Sequence, residues 1–131
     1  MDSTDEKIIH LLRANCRMSF VDIAQKVGLT EGAVRARVKR LSNSGTIKKF
    51  TIETKDDVKA VVMVATSRST PTSSVADEIK AMGIDKTYEI SGNFDIICLI
   101  ESDTIDNING IVDKIRALQG VADTSTSMVL K

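Results

Sequence analysis

The sequence predicts an α+β protein in two domains, with three helices in residues 1–53 and a β-α-β-β-α-β order in residues 58–131. Three observations predict it. The first 45 residues carry apolar positions at three- and four-residue spacing, cut by capping residues into three short segments. Residues 58–66 form a nearly continuous β-branched apolar run, as for a strand inside a sheet. Charge is partitioned: the net charge is zero over 131 residues, yet residues 1–50 hold ten Lys/Arg against five Asp/Glu, and residues 51–131 hold eight against thirteen. A basic half on an acidic half implies one part that meets a polyanion and one that does not.

The elements follow in order. Ser3 and Glu6 have capping-box spacing ahead of Ile8, Ile9, Leu11 and Leu12, which predicts a helix over residues 4–15. Ser19 caps a second helix with Phe20, Ile23, Ala24 and Val27 inward, and Gly28 stands where a left-handed C-cap needs glycine. Thr30 caps a third, along which Val34, Val38 and Leu41 repeat, and Asn43-Ser44-Gly45 ends it. Residues 46–53 alternate with β character, as a wing would, and the polar residues 54–57 form a linker. Beyond residue 66 a loop leads to a helix marked by Val75, Ile79 and Met82 and stopped at Gly83. Residues 84–91 and 95–102 make a hairpin about Gly92-Asn93. Ile105, Ile108, Val112 and Ile115 mark the last helix, with Gly110 inside it for close packing or, second to that, for ligand room, and residues 121–130 the last strand. The order is the ferredoxin-like split βαβ.

The spacing Ala24-x3-Gly28-x5-Val34 is that of a helix-turn-helix. A small Ala24 lets the helices cross closely, Gly28 takes the positive φ of the turn, and Val34 packs the second helix onto the first. With Val34, Val38 and Leu41 inward, Gly32, Arg35, Ala36 and Lys39 point outward. The small Gly32 and Ala36 let the helix seat deeply in a DNA major groove, and Arg35 is placed for base edges. Thr30 and Glu31 stand at the end that enters the groove. Arg37 and Arg40 lie on the flanks for phosphate, and Lys48 and Lys49 follow in the wing.

Composition excludes other classes. No apolar run is long enough to span a membrane, and the acidic, amphipathic start is unlike a signal peptide, so a cytoplasmic protein is expected. Cys16 and Cys98, far apart and accompanied by one histidine, make no metal-ligand set and are expected as buried free thiols; no cofactor is expected. His10, between Ile9 and Leu11, is a packing or surface residue, and no carboxylate pair, Ser/His set or phosphate loop points to catalysis. An RNA module of this strand order would stack bases on sheet aromatics, whereas Phe94 sits in the hairpin turn and Tyr88 stands alone.

Residues 5–50 resemble the DNA-binding domain of the Lrp/AsnC family of prokaryotic regulators, the feast/famine proteins. Gly92-Asn93-Phe94-Asp95 is similar to that family's Gly-x-aromatic-Asp turn, and Gly120-Val121-x2-Thr124-x-Thr126 to its final-strand signature. The resemblance implies a C-terminal RAM (regulation of amino-acid metabolism) domain, homodimers paired through their sheets, octamers built from dimers, and an amino-acid effector between dimers. It implies effector-binding roles for Gly92, Asn93, Phe94, Asp95, Thr124 and Thr126, with Ser125 and Tyr88 weaker additions. Asp95 would hold the ammonium, and backbone N–H groups near Gly92-Asn93 the carboxylate. The residues also admit a purely structural reading: Gly92 for the turn, Asp95 to brace it, the threonines as strand residues. The alternative function is thus a ligand-independent regulator or architectural DNA-binding protein of the same fold, on the nucleoid of a prokaryote.

Overall fold

The computed structural model describes residues 1–55 and 57–131, in two compact units, Met1–Glu53 and Thr54–Lys131. Of the expected linker, Asp56 lies outside the described residues, and Thr54 Oγ1 donates to Asp57 at 2.5 Å. No helix among the described residues is long and apolar enough to cross a membrane.

The first unit holds α1 (Ser3–Ala14), α2 (Phe20–Val27) and α3 (Glu31–Asn43). Ile8, Leu12, Ile23, Ala24, Val34 and Val38 form its buried core, with Phe20, Val27 and Ile47 packed on the margin. The start of α1 corrects the sequence expectation. Asp2, not Ser3, is the N-cap, and Asp5, not Glu6, completes the box: Asp5 N–H donates to Asp2 Oδ1 at 2.8 Å, and Asp2 N–H to Asp5 Oδ2 at 3.4 Å. Ser19 and Thr30 cap α2 and α3 by accepting from Asp22 N–H and Ala33 N–H. Residues 46–53 form no strand, contrary to the expected wing. A strand needs a partner for its backbone groups, and no residue of this unit is in a strand. Ile47 N–H bonds Leu41 C=O instead, and Phe50 and Ile52 are exposed.

The second unit holds β1 (Val58–Thr66), α4 (Thr72–Ala81), β2 (Thr87–Glu89), β3 (Ile96–Ser102), α5 (Ile105–Arg116) and β4 (Val121–Met128). The sheet order is β2-β3-β1-β4, antiparallel throughout. One sheet face (Ala60, Val62, Val64, Ile96, Cys98, Ile100) meets Val75, Ala76 and Ile79 of α4 and Ile108, Val112 and Ile115 of α5. β2 is shorter than expected because the chain before it turns into the core: Ile84 is buried, and the buried Thr87 hydroxyl donates to Ile84 C=O at 2.7 Å. Gly110 is exposed, and a Cβ there would meet nothing within 4 Å, which overturns the expectation of close packing. Both cysteines are free, but only Cys98 is buried; Cys16 is half-exposed, its thiol 3.5 Å from Thr51 C=O. Burial pushes the Cys98 thiol above its ordinary pKa.

Candidate nucleic-acid interface

The turn between α2 and α3 is built as its residue types require. Gly28 takes φ +71° and its N–H bonds Ala24 C=O, as does Leu29 N–H at 3.0 Å. Ala24 and Val34 are buried where the helices meet. The anchored stripe of Val34, Val38 and Leu41 turns Glu31, Gly32, Arg35, Ala36, Lys39 and Arg40 to solvent. Gly32 and Ala36 are the small residues of this surface, with the cations beside them. Thr30 is exposed, but its hydroxyl accepts from Ala33 N–H at 3.2 Å. Lys48 and Lys49 are exposed on the segment after α3.

Arg37 differs from the other cations. Its Nη1 donates to Asp2 at 3.0 and 2.8 Å and to Asp5 at 2.9 Å, so it turns back onto the start of α1. The hydrogen bond from Arg37, then that from Asp5 N–H, hold the Asp2 carboxyl at about 2, below its ordinary 3.8. The same carboxylates raise the Arg37 pKa. Asp5 is 5% exposed, and the guanidinium satisfies a charge that would otherwise be costly to bury. No local sequence signal brings Arg37 to this cluster, since it stands more than 30 residues from Asp2 and Asp5.

Arg35 is ordered as well. It pairs with Glu31 one turn earlier on α3, and its Cζ lies 5.1 Å from the centroid of the Phe20 ring on α2. The four-residue spacing of Glu31 and Arg35 is legible in sequence; the approach of Phe20 is not.

In the second unit, Gly92 takes φ +128°, and Gly92 and Asn93 are exposed in the hairpin turn, with Phe94 and Asp95 half-buried. Asp95 Oδ2 accepts from Thr66 N–H at 2.8 Å, and Asp95 N–H donates to Val64 C=O at 2.9 Å, so Asp95 fastens the turn to the end of β1. Thr124 and Thr126 stand opposite Val64 and Val62 and share the face covered by the helices, while Ser125 stands opposite Met63 on the other face, with Tyr88 in the same row beyond Ile97. Thr124 Oγ1 accepts from Arg116 Nε at 2.8 Å. Ile96, Val64 and Thr124 form one row, which brings the turn and the threonines to the same end of the sheet, roughly 10 Å apart across β1. The uncovered face carries Val61, Met63, Ile97, Leu99 and Tyr88. Among the described residues no group of three or more His, Cys, Asp or Glu is placed to hold a metal ion.

Residues 1–42 match the family model of the AsnC-type helix-turn-helix domain, and residues 59–131 match that of the Lrp/AsnC ligand binding domain. The chain is 38% identical to the HTH-type transcriptional regulator LysM of Sulfurisphaera tokodaii, over 100% of this chain and 96% of the relative. It is 34% identical to the regulator of the same name from Saccharolobus solfataricus, over 100% and 94%. Among solved structures, the fold is similar to the leucine response regulatory protein of Mycobacterium tuberculosis, with a TM-score of 0.78 at 20% identity over 100% and 93% of the two chains. It is equally similar to the feast or famine regulatory protein of the same organism complexed with L-methionine, with a TM-score of 0.78 at 20% identity over 99% and 92%.

Proposed function

The chain belongs to the Lrp/AsnC family of DNA-binding transcription regulators, not to an enzyme family, and we propose that it works as a homodimer that sets α3 of each subunit into the major groove of a palindromic DNA site. The observation that carries this reading is the outward face of α3: Gly32 and Ala36 give a shallow surface bracketed by Arg35, Lys39 and Arg40. Arg35 meets a guanine edge, Thr30 and Glu31 enter the groove first, and Arg40, Lys48 and Lys49 lie along phosphates. Arg37, held by Asp2 and Asp5, sets the seating of α3, and its charge is committed to those two carboxylates rather than to phosphate. Two recognition helices about 34 Å apart match successive major grooves.

The uncovered apolar sheet face supports pairing of two subunits through their sheets, since such a face is stable only when covered. Dimers assemble further, up to an octamer. The protein acts in the cytoplasm, on a prokaryotic nucleoid.

The second unit takes a small amino acid. Its family domain is a ligand-binding one, and a structural neighbour is complexed with L-methionine. With Oδ2 of Asp95 committed to Thr66, Oδ1 is the oxygen for the ammonium; the N–H groups about Gly92-Asn93 and Phe94 take the carboxylate, Thr124 and Thr126 stand across β1 from the turn on one face of β4, and Ser125 stands on its other face. A ligand-independent regulator is the second reading, favoured by the structural bonds of Asp95 and Thr124.

Two experiments test these readings. Arg35→Ala should relax base preference and cost about 1–3 kcal/mol on specific DNA; wild-type affinity there sinks the placement of α3. A thermal-shift panel of the twenty amino acids should raise the melting temperature for one or a few, because a ligand of the folded state stabilises it by mass action. No shift at millimolar concentration favours the ligand-independent regulator.

A further inference from the structure

We infer that Phe20, a residue of α2, is a specificity-determining residue: with Glu31 it positions Arg35, and so sets preference at the base that Arg35 meets. The inference rests on the reading of α3 as the recognition helix. Phe20 is half-buried, packed against the core of the first unit and therefore fixed in place. Its ring is the platform for the Arg35 guanidinium, 5.1 Å away, within the range of a cation–π contact. Glu31 holds the Nη2 corner of the same group.

An arginine on an exposed helix face ordinarily samples many rotamers and loses that freedom when it docks. Arg35 is 63% exposed, yet two elements hold it. The ring sets the height of the guanidinium above the turn, and Glu31 takes one corner, which leaves the remaining N–H edge for a bidentate acceptor pair such as guanine O6 and N7. The Glu31 carboxylate also repels phosphate, which keeps Arg35 from collapsing onto the backbone, and is itself an acceptor suited to a cytosine amino group. Phe20, Glu31 and Arg35 thus form one recognition unit that favours a G·C pair.

The test is selection from a randomised half-site, using the full chain as wild type, Phe20→Leu, Phe20→Tyr, Arg35→Ala and the Phe20→Leu/Arg35→Ala double variant. Arg35→Ala should flatten preference at one base position. Phe20→Leu should weaken preference at that same position by about two- to fivefold, with the other positions and the salt dependence unchanged, because no phosphate contact is lost. Phe20→Tyr, which keeps the ring, should retain the wild-type profile, and the double variant should match Arg35→Ala. If Phe20→Leu lowers affinity evenly at every position, or changes nothing while Arg35→Ala has its effect, the positioning role is wrong and α3 stands as the recognition helix. If Arg35→Ala alters no position, the positioning role falls together with the placement of α3.

Discussion

Arg37 Nη1 lies 3.0 and 2.8 Å from the two carboxylate oxygens of Asp2, which ties the middle of α3 to the N-cap of α1. Asp2 therefore serves two ends at once, as helix cap and as ion-pair partner, and Asp5 repeats both roles from one turn inside α1. The second helix of the helix-turn-helix, α3, is thus tied to the first residues of α1.

This cluster should make stability sensitive to acid in a defined window. A carboxyl lowered from 3.8 to about 2 stabilises the fold in full above its unfolded pKa, and the contribution is lost as pH falls towards the folded value. Asp2→Asn should flatten the fall in melting temperature between pH 3.8 and about 2 relative to wild type. Circular dichroism melts across that range would check it, and identical slopes would show that Asp2 and Arg37 do not pair in solution.

Two basic residues should separate by readout. Lys48→Ala should lower the slope of log affinity against log salt by about 1 on any DNA. Arg37→Ala should lower the melting temperature, because it leaves the buried Asp5 without its cation. Unchanged salt dependence in Lys48→Ala would remove that residue from the phosphate contacts.

Asp95 should respond differently to two substitutions. Asp95→Ala strands the Thr66 N–H at the end of β1 and should cost about 1–3 kcal/mol in urea unfolding. Asp95→Asn keeps an acceptor there and should retain most of the stability, while losing the charge that an ammonium needs. An amino-acid thermal shift that survives Asp95→Asn would place the ammonium elsewhere.

Two glycines should give opposite signs. Gly110 is exposed in α5 with open space around it, so Gly110→Ala should stabilise by about 0.5–1 kcal/mol. Gly120 holds φ +95°, and a Cβ there would lie 2.6 Å from Thr70 Cγ2, so Gly120→Ala should destabilise by more than about 1 kcal/mol. Thermal unfolding of the two variants checks both, and a stable Gly120→Ala protein would mean that the Thr70 loop yields.

The sequence by itself determined whatever depends on neighbours in the chain. Ser19, Gly28 and Thr30 marked their helix ends, because capping is a bond over two to four residues. The Val34, Val38 and Leu41 stripe decided which side of α3 faces outward, because a helix repeats every 3.6 residues. The alternation of strand residues separated Ser125 from Thr124 and Thr126.

The tertiary structure alone decided what depends on residues far apart. Two capping boxes, Ser3 with Glu6 and Asp2 with Asp5, are both written at the start of the chain, and Arg37 makes use of the second. Residues 46–53 have strand composition but no partner to pair with in their unit. The register of β4 on β1 put Thr124 and Thr126 on the helix-covered face, and the packing of α2 on α3 brought Phe20 under Arg35. Local propensity acts through bonds a few residues apart, whereas a long-range contact forms only when the whole fold closes around it.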